Sequence, residues 1–172
     1  MTAGVTICKN PSQPVALSPR RRDGTKPASL TNNASGDGAP HWEAVTIKVC
    51  PHTFGFWKAN ESSWPPTAIS LVLGSETYTQ TQMIALLNQV PKGDVSLRLA
   101  RQLIAAKLNI ASGVPSKPVR GKVVSSDRLL MQFEGFLPYH VKATSDIGSE
   151  MALLVPALKD YNNGKSTPGC AP

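Results

Sequence analysis

Cysteines, histidines and a cluster of cations are the residues of this chain whose types could do chemistry. Cys50 and Cys170 stand at the two ends of the stretch that reads as folded, so among three cysteines they are the natural disulfide pair. A bridge closing a loop of about 120 residues constrains the unfolded chain by roughly 5 kcal/mol in the chain-entropy account. Cys8 is then a free or intermolecular thiol. The alternative is a set of reduced thiols in a cytosolic protein. His41, Cys50 and His52, with Cys8, form a metal set on paper. No Cys-x-x-Cys or His-x-x-x-His spacing supports it, and neither metal nor cofactor is expected. Gly164-Lys165-Ser166-Thr167 has the ending of a phosphate loop, but Lys159 stands where the earlier glycine is needed and the segment follows a helical pattern. There is no Gly-x-Ser-x-Gly elbow. The carboxylates, such as Glu61, Asp94, Asp127 and Glu150, are scattered, and no residue is assigned a catalytic role.

The charge pattern is the one feature above background. The chain carries a net charge of +7, and between Lys92 and Arg128 eight basic residues face two acidic ones. Arg98, Arg101, Lys107, Lys117, Arg120 and Lys122 are the candidates for a polyanion-docking surface. An anionic cell-surface polymer or glycan is the partner such a surface would suit, with nucleic acid less expected. The first reading of these cations is a solvated helix face, and the docking surface is the alternative to it.

The elements that would position these groups are mostly helical. Thr79 and Gln82 form a Thr-x-x-Gln capping box, so a helix should begin at Gln80, with Met83, Ile84, Leu86 and Leu87 at helical spacing before Pro91 and Gly93 end it. Asp94 caps a helix over residues 95–111. Leu97, Ala100, Leu103, Ile104 and Leu108 form its buried stripe, with Arg98, Arg101 and Lys107 off it. Residues 114–122 read as a basic linker, after which Ser125 or Ser126 caps a third helix. Ser145 caps the last, where Pro156 predicts a kink or an early break. Asn163 and Gly164 end it.

Residues 50–66 hold two of the three tryptophans and two of the four phenylalanines. Phe54, Phe56, Trp57 and Trp64, beside Pro65 and Pro66, read as an irregular structural corner of the core; an exposed platform for sugars or bases is the alternative. Gly55 suggests a positive φ or close packing. Upstream, residues 1–49 read as an extended, partly flexible tail, rich in Pro, Ser, Gly and Asn, with two β-prone runs at residues 5–8 and 42–49. Arg20, Arg21 and Arg22 lie inside it. No apolar run reaches the roughly 18 residues of a membrane span, and residues 1–17 show no signal-peptide pattern.

Phe54-Gly-Phe-Trp-Lys58, Trp64-Pro65, residues 71–74, Tyr78-Thr79, residues 99–109, Tyr161-Asn-Asn-Gly164 and Cys170 together resemble a family of uncharacterised secreted bacterial domains. That family carries a Gly-Phe/Tyr-Trp-Lys-Asn-His signature followed by Trp-Pro, and a closing Tyr-Asn-x-Gly with a nearby cysteine. The resemblance spans residues 50–170 and departs at Ala59-Asn60, where the family has Asn-His. It implies an exported or cell-surface protein and no known reaction.

The expectation is a mainly α fold: a small, bundle-like, disulfide-closed domain over residues 50–172 behind an extended tail carrying one or two short strands. The expected function is that of a non-enzymatic extracellular or cell-surface structural protein, self-associating through its tail. The alternatives are a module binding anionic glycan or nucleic acid through residues 92–128, and a small hydrolase of unrecognised type.

Overall fold

The computed structural model describes residues 48–170. Cys8, Arg20, Arg21, Arg22, His41 and the expected strands at residues 5–8 and 42–47 lie outside them. Lys48 and Val49, the end of the second expected strand, belong to no strand.

The described residues form five α-helices and one β-hairpin, so the fold is mainly α. The helices are α1 (Phe54–Ala59), α2 (Gln80–Asn88), α3 (Val95–Ala111), α4 (Arg120–Leu130) and α5 (Asp146–Asn162). Between α1 and α2 run two 3₁₀ turns, Glu61–Ser63 and Pro66–Ala68, and the antiparallel strands β1 (Ser70–Leu73) and β2 (Glu76–Thr79). Helix α3 is the axis: α1, α2, α4 and α5 all pack on it. Its expected stripe is buried, and Leu99, Ala105 and Ala106 are buried with it, so α3 is covered on several sides.

The caps explain where three helices start. Thr79 accepts from the Gln82 amide while Gln82 accepts from the Thr79 amide, which completes the expected box. Asp94 caps α3 by accepting from Ser96 N at 2.8 Å and Ser96 Oγ at 2.6 Å. The same buried carboxylate also accepts from the amides of His140 and Val141, each at 3.1 Å, so one side chain ties the start of α3 to the loop before α5. Ser145 caps α5 through Gly148 N.

Four expectations are corrected. Helix α4 starts at Arg120, inside the supposed linker, and Ser126 lies buried in its middle. The Ser126 hydroxyl donates to the Lys122 carbonyl four residues back, which satisfies it without a cap; the turn from Ser116 supplies the start instead. Residues 54–59 form a helix capped by Thr53, not an irregular corner. Gly55 lies within that helix and a Cβ there would meet only Thr53 Oγ1, at 3.6 Å. Helix α5 does not break at Pro156, which is exposed and inside the helix; packing of α5 on α3 and α4 outweighs one lost backbone bond.

The hairpin went unread in the sequence. Its turn is Gly74-Ser75, and Gly74 is irreplaceable on two counts. Its φ is +65°, and a Cβ would lie 2.9 Å from the Leu130 carbonyl carbon. Gly74 N donates to Asp127 Oδ1, and Lys107 Nζ reaches both Asp127 and the Val72 carbonyl, so hairpin, α3 and α4 meet at one ion pair.

Candidate functional site

A chain of buried amides runs through the centre of the domain. Asn109 on α3 and Asn162 on α5 are 0 % and 1 % exposed. Asn109 Oδ1 accepts from His52 N at 2.7 Å and from the Trp57 indole N–H at 3.2 Å. Asn109 Nδ2 donates to His52 O at 2.8 Å and to Asn162 Oδ1 at 3.0 Å. Asn162 Nδ2 then donates to the Gln102 carbonyl and to Gln102 Oε1, both at 3.0 Å. Trp57 and His52 N can only donate, so every amide in the chain has a fixed orientation. Paired in this way, polar groups that would be costly in a dry core join α1, α3 and α5.

The chain of amides ends at a cleft of about 410 Å³ between α3 and α5. Arg98, Arg101 and Gln102 line it from one face of α3, at i, i+3 and i+4. Val155 and Lys159 line it from α5, one turn apart, and Phe54 closes one end from the start of α1. The Arg101 guanidinium lies over the Phe54 ring, 4.6 Å from its centroid. Arg101 Nε is buried and has no hydrogen-bond partner among the described residues. Partial burial pushes the Arg101 pKa down from its usual value. Among the described residues, no carboxylate forms an ion pair with Arg98, Arg101 or Lys159. Three cations thus line one space with no carboxylate paired to them among the described residues, and the planar Arg101 fork has the geometry to meet paired oxygens.

The other sequence candidates lie elsewhere. Lys107 is held in the ion pair with Asp127 at 2.7 Å. Lys117 and Arg120 are exposed around the start of α4, and Lys122 lines a separate groove between α4 and α5 with Arg128 and Glu150. Trp57 and Trp64 are buried, and the Trp64 indole donates to the Trp57 carbonyl at 2.9 Å. Phe54 and Phe56 are half-buried at the margin of the core, and Phe56 stacks on His52 at 3.8 Å. Burial lowers the His52 pKa. Cys50 and Cys170 are bonded across 120 residues, which removes Cys50 from any metal set. Lys159 and Gln102 were missed in the sequence. Their signal was phase: Gln102 lies one turn from Arg98 on α3, and Lys159 lies one turn from Val155 on α5.

Comparison of the chain with protein-family models, curated proteins and solved structures finds no match.

Proposed function

We propose that this protein is a non-enzymatic extracellular or cell-surface interaction module that holds an anionic glycan in the α3–α5 cleft. The observation that carries this reading is Arg101: its Nε is buried without a partner, beside two further cations with no counter-carboxylate. The cleft lining has three cations and one amide but no carboxylate, hydroxyl, thiol or imidazole side chain, which favours binding over turnover. The long-range disulfide is what an oxidising compartment permits, and the resemblance to secreted bacterial domains agrees with that location. No helix among the described residues is long and apolar enough to cross a membrane.

The test is affinity for charged dextrans. Replacing Arg98, Arg101 and Lys159 together by Gln should weaken binding at least tenfold at low ionic strength, with the difference shrinking as salt rises. Unchanged binding by a folded triple variant overturns the reading. Preferential capture of single-stranded DNA of matched charge would replace glycan by nucleic acid as the partner.

One observation favours a second reading, self-association through the N-terminal segment. Lys48 and Val49 border an apolar groove of about 520 Å³ whose other walls include Pro115, Pro118 and Pro168. Removal of residues 1–40 should then abolish oligomers seen by light scattering. Oligomers that persist at the same concentration would place the interface on the helices.

A further inference from the structure

Resting on the α3–α5 cleft as an anion site, we infer that Gln102 is its specificity-determining donor, and that the cleft takes a fully ionised oxyanion that brings only acceptors, such as a carboxylate or a sulfate ester. The buried amides dictate this. Trp57 Nε1 donates to Asn109, Asn109 to Asn162, and Asn162 to Gln102 Oε1. Each side-chain donation runs the same way, from the indole toward the cleft. The acceptor end of Gln102 is therefore committed inward, and Gln102 Nε2 donates no hydrogen bond among the described residues. Gln102 is 7 % exposed and lines the cleft beside Arg101 and Lys159.

Every polar side chain of the lining, Arg98, Arg101, Gln102 and Lys159, thus offers hydrogens and none offers a lone pair. A hydroxyl or a protonated acid can accept from these donors but finds no side-chain acceptor in the lining for its own proton, which is left to water. A carboxylate or sulfate brings only acceptors. Recognition of charge alone would need the three cations; preference for an oxyanion over a neutral hydroxyl comes from Gln102 being held in one orientation.

Carboxymethyl dextran and dextran sulfate of matched length are the probes, with neutral dextran as the control. Gln102→Met removes the donor and the Oε1 acceptor of Asn162, which keeps the Gln102 backbone carbonyl, and leaves the charge unchanged. It should weaken both anionic polymers about tenfold, by the same factor at low and high salt. The Arg98, Arg101 and Lys159 triple variant should instead lose less as salt rises. Gln102→Glu keeps an acceptor for Asn162 and turns the cleft-facing donor into an acceptor, so it should lose more than the Met variant while its melting curve stays close to the parent's. Loss for one polymer alone narrows the oxyanion to carboxylate or to sulfate. Gln102 variants that bind like the parent, while the triple variant does not, overturn the role of Gln102 and leave the cleft standing. A triple variant that also binds normally, or a parent that binds neither polymer more tightly than neutral dextran, overturns both.

Discussion

Replacing Cys50 and Cys170 by Ser is expected to lower the stability of the domain by about 5 kcal/mol and its melting midpoint by about 20 °C. The bridge spans 120 residues of sequence, nearly all of the described chain. It therefore removes a large share of unfolded-state freedom while asking little of the native state. Differential scanning calorimetry with and without reductant checks the number. A midpoint that moves by less than about 5 °C would mean that the unfolded chain is already compact near the bridge.

Asn109→Ala is expected to destabilise by about 4 kcal/mol, more than an ordinary surface asparagine by a wide margin. The substitution leaves the Trp57 indole N–H, His52 N, His52 O and Asn162 Oδ1 without their partner. It also opens a void against a fully buried tryptophan. Denaturant titration measures the loss. Asn109→Asp should fail nearly as badly, because it keeps the acceptor for Trp57 but cannot donate to Asn162 and buries a charge. A loss below about 1 kcal/mol for Asn109→Ala would show that water replaces the amide.

Three of the four helices with side-chain caps were legible in the sequence; α1, capped by Thr53, was hidden by its aromatic residues. Thr79, Asp94 and Ser145 announce α2, α3 and α5 because each accepts from the first turn of the helix it opens. Helix α4 has no side-chain cap at Val119, and the cap-type residues nearby, Ser125 and Ser126, lie inside the helix, where the Ser126 hydroxyl bonds back to Lys122 O and Ser125 is exposed. The hairpin was passed over although its Gly74-Ser75 turn joins two β-prone runs. The disulfide was legible from position alone. The α3–α5 cleft was half legible: Arg98 and Arg101 belonged to the visible cluster, whereas Lys159 comes from a helix about 60 residues later in sequence that only tertiary packing brings near. Asn109, Asn162 and Gln102 look like surface amides in a sequence. Their burial follows from two helices closing on each other, which no local pattern encodes.

The bridge has a mechanical side. Cys50 and Cys170 hold the two ends of the described domain with their Cα atoms 5.3 Å apart. A tension applied to the chain upstream of Cys50 and downstream of Cys170 passes through a covalent shortcut. The helices in between carry none of it and keep their packing under load. In an optical trap the oxidised protein should extend by no more than the segments outside the bridge. The reduced protein should give up the contour of the whole domain, about 40 nm at roughly 3.3–3.6 Å per residue. A domain tethered by one end and pulled by the other would thus keep the α3–α5 cleft intact while its connections are stretched.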